Sequence, residues 1–136
     1  DVAAFVGIAK LGSVGSNSGG SRAISTYRYT QAGETFQHYG YSEHAKSLSQ
    51  GLRPGSYATS VEGLSGSGAK SGLALPHANP PNAVYTVTPP SGTLIRVNPT
   101  TNPQFGQPGG LPEVEFILGT PPGSIIGPNP ISGGTP

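Results

Sequence analysis

The sequence predicts an α+β domain of five or so short strands, one helix and long irregular connections. Three observations carry this. Side chains alternate with a period of two in "ISTYRYT", "NAVYTVTP" and "LPEVEFIL", as half-buried strands do. One stretch, "SEHAKSLSQGLRPG", places Ala45, Leu48 and Leu52 at helical spacing. And 22 Gly and 15 Pro cut the chain into short segments.

Taken in order, residues 1–22 begin with a short apolar run and pass into a Gly/Ser-rich stretch, which reads as a linker to an upstream polypeptide. The alternative is an N-terminal strand over Val2 to Ala9. In "ISTYRYT" the alternation puts Ile24, Thr26, Arg28 and Thr30 on one face of a strand and Ser25, Tyr27 and Tyr29 on the other. A turn region with Gly33 and Gly40 follows. The helix then has Ser42 as its N-cap and Glu43 in its first turn, and Gly51 and Pro54 end it. "SYATSVE" reads as a strand, and "SGSGAKSGLALP" as a weak helix or a loop because of its glycines. "NAVYTVTP", "TLIRVNP" and "LPEVEFIL" are strands bounded by prolines. The tail, 121–136, is too rich in Gly and Pro for a ladder and reads as a surface strap or a disordered end. The body of the domain is therefore 23–120.

Composition narrows the functions. A chain of 136 residues fits one domain with room for a small site, not for a separate cofactor domain. No window approaches the roughly 18 apolar residues of a membrane span, so no membrane partner is expected. The absence of Cys rules out disulfides and thiolate chemistry. A net charge of +1, with seven Lys and Arg spread along the chain, provides no long-range field for nucleic acid, so an RNA partner would have to be recognised locally. The chain starts at Asp1 and holds no Met, which reads as a piece of a longer polypeptide. There is no phosphate-cradling Gly loop of the Walker or dinucleotide type.

The acidic residues are more informative. Together Asp and Glu number six, yet Glu113 and Glu115 sit two apart in "EVEF", so that both face one side of a strand while Val114 and Phe116 face the other. Three readings stand: a solvated strand face, a metal site, or a carboxylate that stabilises a developing cation or positions a nucleophile. His38, His44 and His77 lack ligand spacing such as H-x₃-H, which leaves the metal reading without support.

The stretches "YRYT", "GLRPGSYATS" and "GQPGGLPEVEF", with the helix between the first two, resemble ADP-ribosyltransferase toxin domains at the C-termini of Rhs-type bacterial polymorphic toxins, over about residues 24 to 120. The resemblance implies two small packed antiparallel or mixed β-sheets around an NAD cleft, with one or two short helices. It implies three site positions. The first is Arg28, followed by Tyr29 and Thr30, where a guanidinium fork would hold the NAD pyrophosphate or ribose. The second is Tyr57 with Thr59 and Ser60, where a ring would stack on nicotinamide and hydroxyls would hold the ribose or the glutamate. The third is Glu113 with Glu115, one of which would stabilise the positive charge that develops on the ribose as nicotinamide leaves. "YATS" departs from the Ser-Thr-Ser triplet of the family. "HYGY" at 38–41 adds aromatic surface to the same pocket.

In function, the resemblance implies an antibacterial toxin, secreted and delivered into the cytoplasm of a target bacterial cell. It would use NAD as substrate, modify a protein or RNA acceptor, act as a monomer, and be held by a cognate immunity protein. NAD hydrolysis with water as acceptor is a variant. A metal-independent ribonuclease using His38 or His44 with Lys46 or Arg53 is an alternative from another class, and a non-enzymatic Pro/Gly-rich binding module is a third.

Overall fold

The computed structural model describes residues 24–133, so the expected linker over 1–22 and its alternative strand at Val2 to Ala9 lie outside the described residues. Among the described residues, seven strands form two antiparallel sheets. The first takes the order β1 (Thr26–Tyr29), β5 (Leu94–Asn98), β6 (Glu113–Phe116), β3 (Ser56–Ala58), and the second the order β2 (Phe36–Gly40), β4 (Ala83–Val87), β7 (Ile125–Pro130). A bridge between Gln37 and Thr59, with hydrogen bonds of 2.7 and 2.8 Å in both directions, ties β2 to the end of β3. Two short helices complete the α+β fold: α1 (Ala45–Leu48), entered through a 3-10 turn at Ser42–His44, and α2 (Gly66–Gly72).

The period-two pattern builds the main core. Ile95, Val114, Phe116 and Ala58 from the first sheet meet Phe36 and Val87 from the second, and Leu52 from the segment after α1 closes one end. The Phe36 and Phe116 rings meet edge to face with centroids 5.5 Å apart. A second cluster of Tyr39, Ala69 and Leu73 packs α2 against the second sheet.

Three elements differ from the sequence reading, and a fourth decides between its two alternatives. The region around Gly40, read as a turn, contains strand β2, whose five residues pair in register with all five of β4. One of them, Gly40, is a poor strand former, and partner pairing outweighs that. The tail, read as unable to join a ladder, supplies β7: it lies at the sheet edge, where a proline without an N–H costs no hydrogen bond, and its pairing with β4 shifts register between Val84 and Thr86. The helix of 42–55 is shorter than its spacing suggested, and Ser42 is not its cap; the Ser42 amide donates instead to Asn82 Oδ1 at 2.8 Å. The glycine-rich stretch after residue 64 does form a helix, α2, capped by Ser65, whose Oγ accepts from the Gly68 amide at 3.0 Å. Its glycines serve close packing: a Cβ on Gly72 would meet Leu111 Cδ1 at 2.3 Å, and one on Gly66 the Pro81 carbonyl at 2.2 Å.

The chain after α1 crosses the segment after β6 at backbone distance. Gly51 has φ +92, and a Cβ there would lie 2.1 Å from the Thr120 carbonyl oxygen. Gly33 also has positive φ, +79, with nothing within 4 Å. Gly51→Ala is therefore expected to lower stability well beyond the ~1–2 kcal/mol of a left-handed alanine, and Gly33→Ala by about that amount alone; urea unfolding of both variants checks this. Phe116→Ala, which empties the centre of the core, is expected to cost about 3–5 kcal/mol in the same measurement.

Candidate functional site

The pairing of β5 with β6 decides what the two glutamates do. Opposite Glu115 stands Arg96, and opposite Glu113 stands Asn98. Arg96 Nε donates to Glu115 Oε1 at 2.9 Å, its Nη2 lies 2.8 Å from the same oxygen, and Nη2 also reaches the Tyr57 hydroxyl at 3.3 Å. Burial opposes the charge on Arg96, but the Glu115 carboxylate outweighs it and raises the guanidinium pKa. Burial, and then the nearby Glu115 charge, push the Tyr57 hydroxyl up as well, which keeps it neutral. Glu113 has a neutral neighbour: Asn98 Nδ2 donates to its Oε1 at 2.9 Å, while Asn98 Oδ1 accepts from Ser25 Oγ. Glu115 is thus paired with a guanidinium, and Glu113 is oriented by a neutral amide.

Glu113 lies at the wall of a cavity of about 500 Å³ in which the two sheets and two loops meet. Strand β2 and the residues after it contribute His38, Gly40, Tyr41 and His44; β3 contributes Tyr57; the segment after α2 contributes Leu73 to His77; and a turn contributes Gln104 and Phe105. The lining is largely aromatic and apolar, and Glu113 is the carboxylate in it. A smaller cavity of about 360 Å³ adjoins it and shares Tyr41, His44 and His77. The Tyr41 ring stands between the two imidazoles, edge-on to both, at centroid distances of 5.6 Å to His44 and 5.2 Å to His77.

His38 has a defined tautomer. Its Nδ1 is 2.8 Å from the Tyr57 carbonyl oxygen, which can only accept, so Nδ1 carries the proton and Nε2 keeps its lone pair. Burial lowers its pKa, against the smaller opposite effect of that hydrogen bond, and holds the ring neutral.

Backbone strain gathers at the same place. Among the described residues, the non-glycine positions with positive φ are Ala74 at 49° and Phe105 at 53°, and both line the larger cavity. Ala74 turns the chain out of α2 toward the cavity, where Lys70 Nζ holds the next segment through the Ala78 carbonyl at 2.6 Å. Phe105 sits at the tip of a turn closed by two backbone hydrogen bonds between Gln104 and Gln107, and its side chain is largely exposed.

The sequence candidates divide. Glu113 and Tyr57 meet at the cavity, and the "HYGY" residues His38 to Tyr41 line it. Glu115 lies beside it on the same strand face, bound to Arg96. Arg28 is not in the lining: Glu34 grips it in a fork, Nη1 to Oε1 at 3.0 Å and Nη2 to Oε2 at 2.5 Å, which raises the Arg28 pKa and lowers that of Glu34. Thr30 spends its hydroxyl on Pro90 O and the Thr93 amide, and Thr59 on Pro112 O and the Val61 amide. Tyr29 is exposed on the strand face opposite to Arg28, and Ser60 is exposed outside the lining. Of the ribonuclease set, His38 and His44 line the cavity while Lys46 and Arg53 do not. Among the described residues no three His, Asp or Glu converge where they could hold a metal ion, and no helix is long and apolar enough to cross a membrane.

Sequence reading missed Arg96, Asn98, Gln104 and Phe105. For the first two a signal existed: "RVN" carries polar residues two apart, as "EVE" does, and antiparallel pairing sets them opposite each other.

No protein-family model and no curated protein matches the chain. Among solved structures, that of Tne2 in complex with Tni2 is similar in fold, with a TM-score of 0.65 at 23% sequence identity over 79% of this chain and 92% of that chain.

His38 gives the site a pH signature. Its pKa is lowered on folding, so the unfolded chain binds a proton first as pH falls; stability is full above the unfolded value of about 6.5 and declines below it. Glu34, also lowered, adds a decline only further into acid. His38→Asn should therefore flatten the dependence of unfolding free energy on pH just below 6.5, as read by urea titrations at several pH values, and leave the more acidic decline in place.

Proposed function

We propose that this domain is a toxin enzyme that breaks the nicotinamide–ribose bond of NAD. The observation that carries the reading is a carboxylate held by an amide instead of a cation, Glu113, in the wall of an aromatic cavity. The nicotinamide of NAD is a planar cation, and aromatic faces with a nearby carboxylate are complementary to it. As the bond breaks, positive charge moves onto the ribose, and Glu113 is placed to stabilise it. The adjoining cavity, joined through Tyr41, His44 and His77, supports a substrate of two ring systems with a polar connection, as a dinucleotide is.

Two fates exist for the ADP-ribose. The resemblance to ADP-ribosyltransferase toxins supports transfer to a protein or RNA acceptor. The ion pairing of Glu115 favours water, since a Glu-x-Glu transferase uses both carboxylates, one for the ribose and one for the acceptor, and here Arg96 occupies one of them.

The toxin reading draws on the same resemblance and on the shared fold with Tne2, whose structure was solved with Tni2 bound, an arrangement that a toxin and its immunity protein would make. In this reading a dedicated immunity protein covers the cavity mouth between Tyr57 and Phe105, both exposed aromatics of the kind that anchor interfaces. The domain would act in the cytoplasm of a target bacterium.

The test is nicotinamide release from NAD by the purified chain, with labelled NAD and bacterial lysate to detect modified protein or RNA. Glu113→Gln is expected to lower release by about 10²–10³-fold. Glu115→Gln should retain most of it, and Arg28→Ala should lose less than Glu113→Gln. Free ADP-ribose with no labelled band supports hydrolysis, and a labelled band supports transfer. Absence of nicotinamide release by the folded chain would contradict the proposal.

A further inference from the structure

We propose that His38 is the base that takes the proton from the O–H group attacking the ribose, a role that rests on the NAD-cleaving reading above. Its ring is on β2, opposite Tyr85, and lines the same cavity as Glu113. Nδ1 is committed to the Tyr57 carbonyl at 2.8 Å, so the only basic nitrogen left is Nε2. Beside Nε2 stands Gly40, also a cavity residue, where a Cβ would come within 3.4 Å of that nitrogen. With glycine at this position, no side chain of residue 40 covers the Nε2–Cδ2 side of the imidazole.

The arrangement separates two tasks on two strands from different sheets. Glu113 on β6 faces the charge developing on the ribose, and His38 on β2 faces the incoming nucleophile. The Gln37–Thr59 bridge, adjacent to His38 and two residues from Tyr57, fixes the spacing of these strands. The Tyr57 carbonyl is the orienting group of the imidazole, as a carboxylate or carbonyl orients a catalytic histidine elsewhere.

The step balances without a cofactor. The C1′–N bond breaks and its electron pair stays on the nicotinamide nitrogen, which becomes neutral. A C1′–O bond forms to the nucleophile, whose proton passes to Nε2 and then to solvent. With water the products are nicotinamide, ADP-ribose and one proton.

Several ionisable groups surround His38: Tyr85 across the strand pair, with ring centroids 6.2 Å apart; Tyr41 and His44 on the segment after β2; Tyr57 on β3; His77 on the loop after α2; and Glu113 on β6. His44 adds a small repulsion to any proton on His38, in the same direction as burial. The base form therefore persists at pH values where an exposed histidine is protonated.

His38→Asn separates the proposed role from a structural one, because the Asn amide can still donate to the Tyr57 carbonyl but offers no basic nitrogen. Wild type, His38→Asn, His38→Ala and Glu113→Gln are assayed for nicotinamide release, with thermal unfolding of each. The proposal expects kcat of His38→Asn to fall about 10²-fold with KM for NAD nearly unchanged. It expects the acid limb of the kcat profile to disappear and added imidazole to restore part of the rate to His38→Ala. A His38→Asn enzyme that turns over NAD like wild type overturns the proposal. So does a folded His38→Ala enzyme that imidazole leaves inactive, or loss of activity that only tracks loss of folding. If wild type itself releases no nicotinamide, the NAD reading fails and this inference falls with it; if wild type and the Glu113 effect stand while His38→Asn is silent, only the inference fails.

Discussion

The antiparallel register of β5 against β6 is the constraint on which the rest depends. A single pairing sends Ile95, Val97, Val114 and Phe116 into or against the core and Arg96, Asn98, Glu113 and Glu115 to the other face. A slip of β6 by one residue would turn Glu113 and Glu115 to the core and Phe116 away from Phe36, so the hydrophobic core fixes the electrostatics of the site. The same register makes the two glutamates unequal. An ion pair with Arg96 holds one, while an amide from Asn98 holds the other in place at the cavity.

The second sheet brings the remaining groups to that carboxylate. It joins the first through the Gln37–Thr59 bridge, one residue from His38, so the position of the imidazole relative to Glu113 is set by backbone hydrogen bonds and not by a flexible loop. The irregular parts, the segment after α2 and the turn at Phe105, close the cavity from the other side, and they carry the left-handed non-glycine backbone. Paired strands thus supply the polar groups of the cavity, and the strained backbone lies in its irregular wall.

How much of this was legible in the sequence depends on the element. "NAVYTVTP" and "EVEF" are strands because their alternation is strong and one face is fully buried, and the two-sheet α+β outline follows. Strand β2 was hidden because Gly40 is a weak strand former and the pairing with β4 that holds the strand lies in tertiary contacts. Strand β7 was hidden because its prolines break the ladder rule that holds for central strands but not for edges. Of the candidates named from the sequence, Glu113, Tyr57 and the aromatic run at 38–41 line the cavity. The distinction between Glu113 and Glu115 was not, since it needs to be known which strand pairs with "EVE"; once "RVN" is placed opposite, the charge pattern explains itself. Arg28, conspicuous as a cation between tyrosines, has its charge answered six residues later by Glu34, a contact that a strand-and-turn reading leaves open.

We propose that the cavity beside Glu113 binds the dinucleotide. The most direct measurement is amide chemical-shift mapping of the chain with a non-hydrolysable NAD analogue. Binding at this site predicts that shifts gather at residues 37–41, 73–77, 104–105 and 113, with little change at 28–34. Shifts centred on Arg28 to Thr30, with the cavity residues unmoved, would contradict the account.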